Sequence, residues 1–314
     1  MIFTRREFSS LAVAAAAMAA DKPKSRWGGV QVGVITYSFR AMPGSSAEDT
    51  LRYIVDSGLS GIELMSNVAE SFAGAPAAAG GPRGPMTPEN QAAMKKAAQE
   101  TRAWRMAAKM DKFKALRRMY EDAGVKIYAF KLPPTMAMSD AEYEYIWNAA
   151  ETLGANHITM ELPTDDALLQ RVAEYAAKRK LWIAFHTHGQ GGQSGFDKAL
   201  AASTHTALNL DVGHYYGVNG ESPVPVIEKY HARIASLHLK DRKGPGAATD
   251  KKGRGGPNMP WGQGETPLRE ILQTMKRRKF KFPASIEYEY ETPAGSDVLT
   301  EVKKCVAYCQ GVLG

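Results

Sequence analysis

Cysteine, long apolar runs and nucleotide-binding glycine patterns are all scarce in this 314-residue chain. The two cysteines, Cys305 and Cys309, lie four apart in a helix-like segment, which is poor geometry for a mutual disulfide, so they read as structural thiols. Outside the N-terminus no run of about 18 consecutive apolar residues occurs, which excludes a conventional membrane-spanning helix there. No Gly-rich dinucleotide fingerprint follows the first strand signal. Histidine is missing before His157. Charge of one sign is only mildly in excess, at a formal +7, and the basic residues are scattered. With no Lys/Arg stripe interleaved with aromatics and no zinc-finger or helix-turn-helix spacing, no nucleic-acid partner is expected. The excess suits an anionic substrate or simple solubility equally.

What is present is a hydrophobic share of 44%, enough for one large barrel or two ordinary domains. The chain opens with Thr4-Arg5-Arg6-Glu7-Phe8, followed by a mild apolar stretch over residues 11–20 that includes Ala17-Met18-Ala19. A twin arginine, such a stretch and small residues at its end resemble a twin-arginine export signal over residues 1–20. A frayed alanine-rich helix is the alternative. Delivery to the periplasm or outside the cell is therefore expected, with no membrane attachment once the signal is removed, and with residues 21–314 as the working domain.

Through those residues, short β-branched and apolar runs alternate with amphipathic stretches. Strand signals fall at 32–36, 61–65, 125–130, 157–161, 181–186, 207–211, 234–238 and 284–288, and helix signals include 47–57, 139–153, 165–179 and 267–278. Eight strand–helix repeats predict a single-domain α/β fold, the (β/α)8 or TIM barrel, with a doubly wound open sheet as the alternative. Two stretches interrupt the rhythm. Residues 73–89 are rich in Pro, Gly and Ala and precede a long charged helix running to about Asp122, and residues 242–266 form a second long loop. Both follow strands, so both belong to the face that carries barrel active sites, as substrate lids or as variable insertions.

Side chains alternate across a strand, so parity separates inward from outward residues. If the apolar Leu237 and Leu239 face the helices, then Ser236, His238 and Lys240 face the barrel interior. The same rule turns Glu287 and Glu289 inward, along with Asn209 and Asp211, Thr159 and Glu161, and Ala184, His186 and His188. Five consecutive strands thus deliver an ionisable or imidazole group to the C-terminal mouth. Crowded carboxylates need compensating positive charge, and carboxylates with neutral imidazoles are ligands for Mn²⁺, Zn²⁺, Co²⁺ or Mg²⁺. One divalent metal ion is the expected cofactor. A salt-bridged network without metal is the alternative.

The motifs also resemble those of the xylose-isomerase-like superfamily, the sugar phosphate isomerase/epimerase group. LDVGHYYG supplies Asp211 and His214, IASLHLKDR supplies His238, Lys240 and Asp241, WGQGETPL supplies a Gly-x-Gly turn before a helix, and IEYEYE supplies Glu287. The resemblance implies a metal set drawn from Glu161, His186, Asp211, His238 and Glu287. It implies catalytic roles among Glu161, His186 and Glu287, and substrate contacts from His188, His214 and Lys240. One position departs from the pattern. Many epimerases of the group end strand five with a metal-binding glutamate, whereas FHTHG places His186 there, followed by His188. That His-x-His is similar to inosose dehydratases and to exported relatives thought to act on 3-keto-glycosides.

The implied activity is divalent-metal-dependent isomerisation or epimerisation of a sugar or keto-sugar through an enediolate. Elimination of water or a glycosidic group by a lyase is the alternative. An apurinic-site endonuclease of this fold would need more histidines, from early strands, and an Asp-x-His after His238, neither of which is present. A non-catalytic sugar-binding barrel would have no reason to keep Glu161, Asp211, His238 and Glu287 together. The expected partner is a small sugar, and a homo-oligomer is left open.

Overall fold

The computed structural model describes residues 22–76, 87–189, 192–247 and 255–314. The expected export signal lies outside the described residues, as do segments 77–86 and 248–254 of the two expected lid loops.

Eight parallel strands form a closed ring: β1 (Val30–Ile35), β2 (Gly61–Met65), β3 (Lys126–Lys131), β4 (His157–Glu161), β5 (Trp182–His186), β6 (Thr206–Asp211), β7 (Ile234–Leu239) and β8 (Ala284–Ile286). Each strand pairs with the next, and β8 pairs with both β7 and β1, so the sheet has no open edge and the doubly wound alternative is excluded. A short strand, Arg26–Trp27, runs antiparallel to β1 outside the ring. The domain is a (β/α)8 barrel, as the alternation predicts.

The outward side chains of the strands are the apolar ones. Ile158, Ile183, Phe185, Leu208, Leu237, Leu239 and Ile286 have no exposed surface, and each such burial contributes roughly 1.5–3 kcal/mol before entropic losses. Helix Asp140–Leu153 packs Tyr143, Ile146, Trp147, Ala150 and Leu153 inward. Its start is fixed by a capping box: the Ser139 hydroxyl accepts from Glu142 N, and the Glu142 carboxylate accepts from Ser139 N at 2.8 Å.

The long charged helix expected up to Asp122 is two helices, Pro88–Ala107 and Asp111–Asp122, because Ala108 takes an extended conformation (ψ 129°). The break lets the second helix turn Phe113, Leu116 and Tyr120 into the core, while the first buries none of its residues. At the other end of the chain the last ladder is shorter than the 284–288 signal. Glu287 N still donates to Leu239 O, but Tyr288 N turns away to the Ser38 hydroxyl. Among the described residues no helix is long and apolar enough to cross a membrane.

Candidate metal centre

The barrel interior is polar rather than oily. On the side away from the mouth, Tyr128 and Ser285 are 2.6 Å apart, and His157 Nε2 is 3.0 Å from Ser236 Oγ. Asn209 Nδ2 donates to the same serine at 2.6 Å, which orients the amide so that its Oδ1 accepts from His186 Nδ1 at 2.9 Å. With Nδ1 protonated, the His186 lone pair sits on Nε2, which faces Asp211 Oδ2 at 3.8 Å. Burial first, then the charges of Lys131 and His238, push the His186 imidazole well below its usual pKa, so it stays neutral and able to donate that lone pair.

Register brings the remaining groups beside it. Asp211 pairs across the ladder with His238, and Glu161 with His186, at the C-terminal ends of their strands. His238 is gripped from both sides: Nδ1 lies 2.6 Å from Glu287 Oε2, and Nε2 lies 2.7 Å from Glu63 Oε2. Burial opposes its charge, but the two carboxylates outweigh burial and raise its pKa to about 10. Glu63 is itself held by the Thr159 hydroxyl at 2.6 Å and, despite complete burial, is brought down to about 2, mainly by His238. Lys240, also fully enclosed, spans three carboxylates: Glu289 at 2.7 Å, Asp211 at 2.9 Å and Glu287 at 3.0 Å. Burial raises the Asp211 carboxyl, whereas Lys240 and His238 overcome burial and hold Glu287 far below the carboxylate range.

His186, Asp211, His238 and Glu287 each offer a donor atom within 4.8 Å of the others, and all four are buried. Asp211, Glu287 and Glu289 gather around the Lys240 ammonium while Glu63 and Glu287 flank the His238 imidazolium, so four carboxylates face two cations and the pocket favours further positive charge. Asp211 Oδ2 is buried and accepts no well-directed hydrogen bond, although Lys240 is at ion-pairing distance. Two imidazoles, two carboxylates and one such oxygen fit a divalent ion of the Mn²⁺, Zn²⁺ or Co²⁺ kind.

The other residues singled out in the sequence sit around this set. Glu161 is outside it: its Oε2 is 2.8 Å from His188 Nδ1 and its Oε1 is 3.7 Å from Lys131 Nζ. The rings of His186, His188 and His214 form a second cluster, with donor atoms again within 4.8 Å. His214 is sealed inside helix Val212–Asn219, with Nδ1 against the Arg242 guanidinium. Lys240 is likewise enclosed, so its contacts are with carboxylates of the site. The helix carrying His214 comes close only because residue 213 is glycine, since a Cβ there would collide with Lys240. Asp241, adjoining, accepts from Gly262, Gly264 and Thr266 N and ties the Gly-x-Gly turn to β7, with no space for a side chain at Gly264.

Sequence reasoning missed Glu63. The same parity argument applied to β2 would have found it, because Ile62 and Leu64 pack outward on either side. Lys131 and Arg242 were missed as well, because each acts through a neighbour.

The family profile of xylose isomerase-like TIM barrels matches residues 166–306. An inosose dehydratase from Clostridium botulinum (strain Eklund 17B / Type B) is 35% identical over 78 residues, 23% of this chain and 26% of that protein, so the chain matches about a quarter of the relative's length. In overall shape the chain is similar to a probable 3-DHS dehydratase from Bacillus anthracis (TM-score 0.59, 16% identity, 88% of this chain and 97% of that one). It is also similar to a D-psicose 3-epimerase from Clostridium cellulolyticum H10 (TM-score 0.55, 12% identity, 90% and 99%). The profile match falls on the C-terminal half of the (β/α)8 barrel, from the helix after β4 to the last helix. Proteins named for both dehydration and epimerisation share its shape.

Proposed function

We propose that the protein is a divalent-metal-dependent enzyme that removes the proton next to a carbonyl of a sugar or keto-sugar, as an isomerase or epimerase does. The observation that carries this reading is the buried His186, Asp211, His238 and Glu287 set at the barrel mouth. An ion bound there would supply Lewis-acid stabilisation of the negative charge that develops on the carbonyl oxygen. The protein's own groups do the rest. Glu63 and Asn209 orient the two imidazoles, and Lys240 holds three carboxylates in place. A basic group of the mouth takes the α-proton, and the C–H electron pair becomes the C=C bond of an enediolate. Protonation of the neighbouring carbon gives isomerisation, and protonation of the opposite face gives epimerisation.

Elimination is a second reading, favoured by one observation. His186 stands where a second carboxylate would serve symmetrical epimerisation, and His188 and His214 adjoin it. An imidazolium can protonate a departing β-oxygen. Export through the twin-arginine route belongs to the same proposal and rests on Arg5-Arg6.

The test is NMR product analysis in D₂O with D-fructose and a methyl 3-keto-glucoside, before and after exhaustive chelation. Deuterium at the α-carbon is expected, abolished by chelation and restored by added metal. Full activity without metal, or no deuterium incorporation with any keto-sugar, would overturn the reading.

A further inference from the structure

We propose that Lys131 and Glu161 form a donor–acceptor subsite beside the metal centre that holds two adjacent hydroxyls of an uncharged sugar, a refinement that rests on the sugar-substrate reading above. Lys131 reaches this place through a bulge. Between β2 and β3 the register steps from Ile62–Ile127 directly to Glu63–Ala129, so Tyr128 is an extra residue on β3. Ile127 and Phe130 both pack into the apolar core, whereas strict alternation would put them on opposite faces. Tyr128 fills the barrel interior, where its hydroxyl is 2.6 Å from Ser285 Oγ and a Cβ at Gly33 would collide with its ring. Every residue after the bulge changes face, and Lys131, at the end of the strand, is aimed into the mouth instead of toward the helices.

The ammonium arrives there without an acceptor. Its side chain is only 16% exposed, yet it makes no hydrogen bond among the described residues, and its ion-pair partner, Glu161 Oε1, stands 3.7 Å away. A group so far withdrawn from water gains from any oxygen that can accept its three N–H bonds. Glu161 is the complementary case. Its side chain is 45% exposed, and its buried Oε2, 2.8 Å from His188 Nδ1, accepts no well-directed hydrogen bond. Burial would raise its carboxyl, but His188, His186 and Lys131 outweigh burial and bring it to about 2, so it accepts and does not donate. The pair adjoins the metal set, because Glu161 lies beside His186 in register and the Lys131 charge bears on both His186 and Glu63. A three-donor group next to an acceptor-only group matches two neighbouring hydroxyls, one accepting from Lys131 and the other donating to Glu161. A carboxylate or phosphate in the same place would meet the Glu161 charge as well as Lys131, so the pair selects an uncharged ligand.

The test is calorimetric titration of the Mn²⁺-loaded protein with methyl glucoside, its three ring-deoxy analogues (each lacking one hydroxyl) and methyl glucuronoside. Native protein, Lys131→Met and Glu161→Ala would be compared, with metal content measured in parallel. The native protein should prefer the glucoside to the glucuronoside, and should bind the analogue lacking the hydroxyl held by Lys131 about 10–100-fold more weakly. Lys131→Met should weaken the glucoside by a similar factor and bind that one analogue as well as the parent, because a contact already lost from one side is not lost again from the other. Glu161→Ala should do the same for the analogue lacking the adjacent hydroxyl, and both variants should keep their metal. A merely structural defect would weaken every sugar alike and leave the ratios unchanged. That result would overturn the proposal, as would preference for the glucuronoside, no binding of the glucoside, or loss of metal in Glu161→Ala. None of these measurements needs turnover. The expected pattern in a protein that exchanges no α-proton would defeat the enolisation reading and leave the subsite standing, and exchange with unchanged ratios would do the reverse.

Discussion

His238 Nε2 and Glu63 Oε2 lie 2.7 Å apart, joining β7 to β2 across the interior of the barrel. A carboxylate behind a ligating imidazole fixes the ring and raises its basicity, and its removal typically weakens metal binding by about 10–100-fold. Glu63→Gln should therefore lower metal affinity by about that factor while keeping the fold. Competition with a chelator would measure it, and native affinity in the variant would mean that the pair does not orient the ligand.

Lys240 is the permanent positive charge within the acidic pocket. Removing one partner of a buried ion pair leaves an uncompensated charge and costs about 3–5 kcal/mol. Lys240→Met should destabilise the metal-free protein by about that amount, through the repulsion left among Asp211, Glu287 and Glu289. Saturating Mn²⁺ or Zn²⁺ should return part of the loss. Urea unfolding with and without metal would decide, and a variant equally stable without metal would show that another charge takes over.

His157 offers a pH dependence away from the metal set. Burial, followed by the nearby His238 charge and against the pull of Glu63, lowers its pKa from 6.5 to about 4. The unfolded chain therefore binds more protons than the folded one between those values, and stability should fall on acidification from pH 6.5 toward 4. The shift corresponds to about 3 kcal/mol. His157→Gln should flatten that limb of the stability profile relative to native protein, measured by denaturant midpoints at successive pH values. Parallel profiles would remove His157 as the cause.

The twin arginine is tested by location. Changing Arg5→Lys together with Arg6→Lys should hold the precursor in the cytoplasm, read by fractionation of cells expressing either form. Unchanged delivery to the periplasm would show that the pair is incidental.

Much of the fold was legible because a barrel strand declares itself twice, through a β-branched run and through parity. Leu237 and Leu239 facing helices obliges His238 and Lys240 to face inward, and the structure brings those inward groups together. Parity does not report distance along the barrel axis or what a side chain meets. Glu161 and His186 are neighbours in register, yet His186 belongs to the buried four-donor set while Glu161 meets His188 and Lys131. Lys240, named as a substrate contact, is occupied by three carboxylates, a fact that depends on three strands at once. The break at Ala108 was hidden because local composition favours helix on both sides, and tertiary packing of Phe113 and Leu116 decides the turn.

Asp211 ends β6 and at the same time begins the helix that follows, where its Oδ1 accepts the His214 N–H at 2.7 Å. One oxygen is thus spoken for by the backbone, and only Oδ2 remains for the centre. That leaves Oδ2 as the oxygen turned toward His186 and Lys240, at the side of the carboxylate that faces the centre. The direction in which this carboxylate faces is inherited from the point where a strand becomes a helix.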